Sequence, residues 1–263
     1  MRRLPPGWIP NYHGAWAMIT VPVLLGVLIG GFVWQHLLLL GLWWAGYFAF
    51  YAGGLWLRSR RRPRYLPPVR AYTLVTLVFG VGLLIAAPYL LRWLPLFIPL
   101  IATTAWASSH RKDRSLLNDA VTVTAATLTL PVAFDLATHG LATPPGASAD
   151  ASLTGWGWVW LVTLVVGWYF LGTVFYVKTN IRERGKPTWY IASVVFHSVG
   201  LVGVLVLAVL GVVTWPLAAL WLIIAVRAAA VPAWGYYRRW LPALTIGLGE
   251  MVISAALFVS VLI

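Results

Sequence analysis

The sequence has no cysteine, which excludes disulfides, thiolate metal sites and covalent haem attachment. It is also poor in charge. Asp, Glu, Lys and Arg make up 10% of 263 residues, and only six of them are acidic. A soluble domain of this length needs far more charge to cover its surface. So few carboxylates leave little to hold a hard divalent cation. There is no phosphate-cradling glycine loop, nucleophile elbow, metalloprotease helix or haem-type histidine pair. A cleaved secretory signal is not expected either: Arg2 and Arg3 precede a proline-rich stretch, and no small-residue cleavage site comes before the first apolar run.

What the chain has in abundance is apolar surface. Hydrophobic residues make up 61% of it, and the mean hydropathy is +0.84. Apolar runs recur from Gly14 to the C-terminus, each near the ~20 residues a helix needs to cross a bilayer core of ~30 Å. The runs are continuous rather than alternating, which excludes a barrel, and helices satisfy their own backbone in lipid. The expected fold is all-α: a single integral membrane domain over residues 1–263 with about nine transmembrane helices. The spans fall near 14–34, 36–57, 71–91, 93–108, 115–139, 155–177, 188–211, 214–235 and 242–262. Pro95 and Pro99 should kink the fourth.

With nine spans, seventeen of the nineteen Lys and Arg lie on one side. They are Arg2 and Arg3, then Arg58, Arg60, Arg61, Arg62, Arg64 and Arg70, then Arg111, Lys112 and Arg114, then Lys178, Arg182, Arg184 and Lys186, and finally Arg238 and Arg239. The alternate connections carry only Arg92, and the 140–154 segment, rich in Ala, Pro, Gly and Ser, carries only Asp150 and is expected to be a flexible external linker. The positive-inside rule puts the N-terminus in the cytoplasm and the C-terminus outside. Topology thus accounts for the net charge of +13 without nucleic acid. Trp56, Trp106, Trp189, Tyr190, Trp234, Tyr236, Tyr237 and Trp240 are expected in the inner aromatic belt, and Trp34, Trp93, Trp156, Trp158 and Trp215 in the outer one. Gly26 and Gly30 form a small-xxx-small pair suited to helix packing.

The stretch Pro10-Asn11-Tyr12-His13-Gly14-Ala15-Trp16-Ala17-Met18, the loop Arg60-Arg61-Arg62-Pro63, the pair Asn118-Asp119 and the loop Ile181-Arg182-Glu183-Arg184-Gly185 resemble the YwiC-like family of bacterial membrane proteins. The likeness implies a multi-pass protein of the bacterial cytoplasmic membrane. The chain also resembles, more distantly, the UbiA superfamily of intramembrane prenyltransferases. That resemblance implies nine helices around a cavity, with two Asp-rich motifs after helices two and six holding Mg²⁺ for a prenyl diphosphate. The matching places here are Leu57–Arg64, without a carboxylate, and Val177–Gly185, with Glu183 alone. Arginine can bind phosphate directly and bidentately, so anion binding with little or no metal is the expectation.

Three constellations could carry chemistry. The first is a basic rim of Arg58, Arg60, Arg61, Arg62, Arg64, Lys178, Arg182, Arg184 and Lys186, read either as topogenic charge or as a headgroup site. The second is a set of ionisable residues within the spans. Glu250 lies about 15 Å deep and Arg227 about 12 Å deep by helical rise, with His197 at a comparable level. They form a polar cluster that serves as structural glue or as a proton relay. The third is His13, His110, Asp113, Asn118 and Asp119, with Asn118 expected to cap span five. Asp135 and His139, four apart, could pair on one helix face, where hydration near the outer interface would account for them.

The leading reading is a protein that binds, and in one form modifies, an amphiphile with an anionic head, such as a polyprenyl phosphate, a quinone precursor or a membrane phospholipid. If it is an enzyme, His13, Asp119, Asn180 and Glu183 are the catalytic candidates of an atypical lipid transferase. The alternatives are a small transporter or lipid translocator using His197, Arg227 and Glu250, or an accessory subunit of a membrane complex. No inverted repeat with broken helices is evident, which weighs against transport.

Overall fold

The computed structural model describes residues 7–10, 13–139, 141 and 144–263, with His13 by its backbone alone. The expectations placed on Arg2, Arg3, Asn11, Tyr12 and the His13 side chain lie outside the described residues. The fold is 80% helical, and among the described residues there is no strand, only an isolated bridge between Ala147 and Thr154. Eight helical segments are long and apolar enough to cross a membrane, and Gly14–Gly30 is a shorter apolar helix. This is a multi-pass, all-α membrane protein. It folds as two compact units, Met1–Gly140 and Leu141–Ile263.

The first unit holds α1 (His13–Gly30), α2 (Gln35–Arg58), α3 (Leu66–Ala86), α4 (Leu94–Ser109), α5 (Leu116–Thr127) and α6 (Thr129–Thr138). Helix α2 lies along α3, and α1 packs on α5 and α6. The core is where α1 meets α6: Val23, Leu25, Leu130 and Phe134 are fully buried there. Leu74, Leu77, Val78, Val81 and Ile85 of α3 stay exposed, as lipid-facing side chains do.

Four spans differ from the sequence-based expectation. Span five is interrupted at Leu128, and the cause is Pro131. Proline has no N–H for the Thr127 carbonyl one turn back, so the helix restarts as α6. The fourth span opens as a 3-10 segment, Pro88–Trp93, with Pro95 in the first turn of α4 and Pro99 inside it. Finally, α1 ends at Gly30 and α3 begins at Leu66.

The second unit holds α7 (Trp156–Val177), α8 (Pro187–Val209), α9 (Trp215–Tyr237) and α10 (Ala243–Leu262). A π-helical turn, Lys178–Arg182, continues α7. Helix α7 is the hub: it touches α8 and α10, and its Val159, Val162 and Val166 are buried. Residues 146–155, most of which lie in the 140–154 segment expected to be a flexible linker, instead form an ordered turn. Gly155 N–H bonds the Gly146 carbonyl at 2.8 Å, and Ala149 N–H bonds Val212 at 3.1 Å. Asp150 organises it by accepting from the Ser148 and Ser152 hydroxyls and the Ser152 N–H, which hold its carboxyl down at about 2.

Each unit sorts its charge by end. In the first, Arg58 Nη1 reaches Asp113 Oδ2 at 3.6 Å, so the α2–α3 and α4–α5 connections share an end. His36 Nε2 to the Ala133 carbonyl, at 2.9 Å, and Arg92 to Asp135 mark the opposite end. In the second, Arg184 Nη2 donates to the Leu241 carbonyl at 3.1 Å, joining the α7–α8 and α9–α10 connections.

The α1–α6 contact depends on Gly26. A Cβ there would lie on the Leu130 carbonyl oxygen and 2.8 Å from Ala133 Cβ, whereas one at Gly53 would meet nothing within 4 Å. Gly26→Ala should therefore destabilise the protein by about 2 kcal/mol in detergent thermal-unfolding measurements. Gly53→Ala should leave the midpoint unchanged or raise it slightly.

Candidate functional site

The basic end of the first unit begins with two helix terminations. After α2 the chain turns left-handed at Arg60, φ +58°, and stays so at Arg61, φ +59°. The Arg60 N–H returns to Leu57 at 3.2 Å and the Arg61 N–H to Trp56 at 2.8 Å. Helix α4 ends the same way at Arg111, φ +57°, with Arg111 N–H to Ser108 at 3.3 Å and Lys112 N–H to Ala107 at 2.7 Å. Both are Schellman caps, whose left-handed position normally takes glycine. After α8 the same hydrogen-bond pattern does use Gly211, φ +79°. An arginine in that conformation costs about 1–2 kcal/mol.

The structure divides the expected rim residues into engaged and available ones. Arg58 pairs with Asp113, which also accepts from Ser108 Oγ at 2.8 Å. Lys178 is buried beneath Trp189. Arg184 is held by the Asn180 and Leu241 carbonyls, and Lys186 pairs with Glu183 at 2.6 Å. Arg61 and Arg64, both exposed, lie over the Trp56 and Tyr65 rings. Arg60, Arg62, Arg111 and Arg182 are exposed and make no side-chain hydrogen bond or ion pair among the described residues. Several belt aromatics thus stack against basic residues of their own end, as Trp106 also does with Lys112. Trp93 and Trp158, expected in the outer belt, are buried instead.

The remaining polar candidates have structural jobs. Ser115, not Asn118, caps α5, accepting the Asn118 N–H at 3.2 Å. Asn118 is buried and donates to the Asp113 carbonyl at 2.8 Å. Asp119 lies in the first turn of α5. His110 Nδ1 lies 2.9 Å from the Trp106 carbonyl. Asn180 is buried and donates to Tyr176 at 2.9 Å. Asp135 does not pair with His139, nor is it hydrated. It is 1% exposed, accepts from Arg92 Nε at 2.9 Å and from Arg92 Nη2, and takes a third bond from Trp93 Nε1 at 2.7 Å. His139 stacks on Tyr89 instead, with ring centroids 3.5 Å apart.

The second unit encloses an ion pair. Arg227 of α9 donates through Nη1 to Glu250 Oε1 of α10. Thr173 of α7 donates to the other carboxylate oxygen at 2.8 Å. Tyr169 and Ser254 share a 2.9 Å hydrogen bond beside it, and both bond the Glu250 carbonyl. The guanidinium lies over the Tyr176 ring, 4.1 Å from its centroid. His197 of α8 is buried next to Gly172, with Nδ1 bonded to the Ser193 carbonyl at 2.7 Å and Nε2 without a partner. The sequence reading located Glu250, Arg227 and His197 but missed Tyr169, Thr173, Tyr176 and Ser254. Their spacing was the available signal: 169, 173 and 176 share a face of α7, and 250 and 254 share a face of α10.

Fold and charge layout define a multi-pass helical membrane protein with one strongly basic end in each unit and an ion pair buried among its spans. The chain belongs to the YwiC-like family. The family model described as YwiC-like protein matches residues 9–134. The uncharacterised protein YwiC of Bacillus subtilis strain 168 is 30% identical over 97% of this chain and 96% of its own. An uncharacterised protein of Haemophilus influenzae Rd is 27% identical over 97% of each chain. No solved structure matches, so the UbiA-like arrangement expected from sequence gains no structural counterpart.

Removing one member of a buried pair strands the other. Glu250 is 3% exposed and Arg227 12%, so Arg227→Gln should cost about 3–5 kcal/mol. The double substitution Arg227→Gln with Glu250→Gln should recover most of that loss. A double-mutant cycle on thermal unfolding in detergent checks both values.

Proposed function

We propose that the protein binds an amphiphile with an anionic head at the basic end of the Met1–Gly140 unit, on the cytoplasmic side of a bacterial inner membrane. The head lies against Arg60, Arg61, Arg62 and Arg111, and the tail lies in the adjoining apolar layer. The excess of Lys and Arg at this end supports the side assigned. The observation that carries the reading is the pair of left-handed caps at Arg60 and Arg111. Topogenic charge alone is indifferent to position within a loop. Here arginine occupies three positions that its own backbone disfavours, Arg60, Arg61 and Arg111, and all three side chains are left exposed. Guanidinium offers two parallel N–H groups to a phosphate oxygen pair.

Metal-dependent prenyl transfer does not fit the donors present. Glu183 is tied to Lys186 and Asp113 to Arg58. Among the described residues no group of three or more His, Asp or Glu is placed to hold a metal ion.

Mass spectrometry of lipids retained through purification in mild detergent tests the reading. A particular isoprenoid phosphate or anionic phospholipid should be enriched on the wild type. It should fall at least about tenfold when Arg60, Arg62 and Arg111 are all changed to Lys, which keeps the topogenic charge but removes the fork. Equal retention by both proteins, or bulk lipid alone on the wild type, refutes it. Arg60→Gly and Arg111→Gly should each raise stability by about 1 kcal/mol while weakening lipid retention, a divergence that a purely structural loop does not produce.

A further inference from the structure

Arg227 is bonded on one side only. Its Nη1 serves Glu250, while Nε and Nη2 are buried and have no acceptor. Those two N–H groups lie along a single edge of the guanidinium, the edge that matches the two oxygens of a carboxylate. The protein shows that match elsewhere. Arg92 presents the same Nε and Nη2 to the two oxygens of Asp135. In Arg227 the corresponding fork is formed, removed from water and empty of any protein acceptor. A half-satisfied network in an apolar interior is costly unless a further acceptor completes it.

We propose that the Nε/Nη2 edge of Arg227 is the binding site of a small carboxylate or similar planar oxyanion, and that its occupation is coupled to uptake of one proton by Glu250. The coupling follows from charge. With Glu250 alone the site is neutral. A second anion on the same guanidinium would leave a net negative charge among apolar helices, which a proton cancels. The proton goes to Glu250, whose carboxylate has lost part of its claim on the cation. The other groups facing the site are less suited. His197 of α8 lies within electrostatic reach of Arg227, and protonating it would set a second cation there. Tyr169 of α7 is committed to Ser254 and the Glu250 carbonyl, and the Tyr176 ring lies under the guanidinium. Arg227 keeps 12% of its side-chain exposure against 3% for Glu250. The basic connections at Lys178–Lys186 and Arg238–Arg239 raise the anion concentration at one end of this unit.

The test uses the full-length protein in lipid nanodiscs, with acetate and nitrate as probes and chloride as the comparison anion. Calorimetry in buffers of different ionisation enthalpy reports both binding and proton exchange. The wild type should bind acetate and nitrate more tightly than chloride, take up one proton per anion, and lose about tenfold in affinity per pH unit above neutrality. Glu250→Gln should bind without proton uptake and without that pH dependence. Arg227→Lys should lose the preference for oxyanions over chloride. The double variant Arg227→Gln with Glu250→Gln is neutral at the site and keeps every surface arginine, so it sets the baseline for adventitious binding. Wild-type binding equal to that baseline overturns the proposal. So does saturable binding with no proton uptake.

Discussion

A carboxylate inside an apolar helix bundle has to be neutralised where it stands, and each unit places its helices around one such group paired with an arginine. In the first unit, Arg92 and Trp93 come from the 3-10 segment before α4, and Asp135 comes from α6. Three hydrogen bonds reach one carboxylate, so the connection is locked to the helix that packs most closely on α1. In the second unit, Arg227 and Glu250 come from α9 and α10, and α7 supplies Thr173, Tyr169 and the Tyr176 ring. Both pairs satisfy the desolvation requirement for the carboxylate. They differ in the arginine. Arg92 keeps half its side chain in contact with the surroundings and needs no further acceptor, whereas Arg227 is enclosed with two donors unused.

The basic ends follow a second constraint. Charges that remain outside the apolar layer are neutralised little, and the six acidic residues are too few to pair them. Aromatic rings take up part of the load: Trp56, Trp106, Trp189 and Trp240 each stack with a Lys or Arg of their own end. Such contacts hold the long stems in place without cancelling the charge. The field at these ends therefore persists, and anionic headgroups are the counterions the membrane offers.

Much of this was legible in the sequence because membrane burial is written in composition. The multi-pass helical class and approximate span limits follow from apolar runs, although eight segments rather than nine are long and apolar enough to cross a membrane. Depth along the helices was enough to bring Arg227 and Glu250 together. What was not legible depends on side-chain geometry and local backbone. Pro131 lies within a long apolar run, and nothing in hydropathy distinguishes a straight span from one restarted at Thr129. Asp135 and His139 have ideal helical spacing, yet Arg92 and Trp93, distant in sequence, outcompete that neighbour. Asn118 is a good cap by residue type, but Ser115 stands three residues earlier with the geometry a cap requires. The 140–154 segment has a linker's composition, while the bonds that order residues 146–155 centre on the one carboxylate of Asp150.

The use of arginine at helix ends turns on a choice visible within one chain. The termination after α8 places Gly211 at the left-handed position, at the end of its unit that carries Asp150. The terminations after α2 and α4 have the same pair of hydrogen bonds but place Arg60 and Arg111 there. The motif can accept glycine, so its geometry does not demand a side chain at that position. Arg60 and Arg111 are exposed and make no side-chain hydrogen bond or ion pair among the described residues, whereas Arg61, also left-handed at φ +59°, lies over the Trp56 ring of α2. Arg58, one residue inside α2, shows the other outcome, since its Nε bonds the Gly54 carbonyl at 3.2 Å. Free and engaged arginines are thus separated by whether a ring or carbonyl of their own helix is within reach: Trp56 takes Arg61 and Gly54 takes Arg58, while Arg60 and Arg111 have no such partner among the described residues.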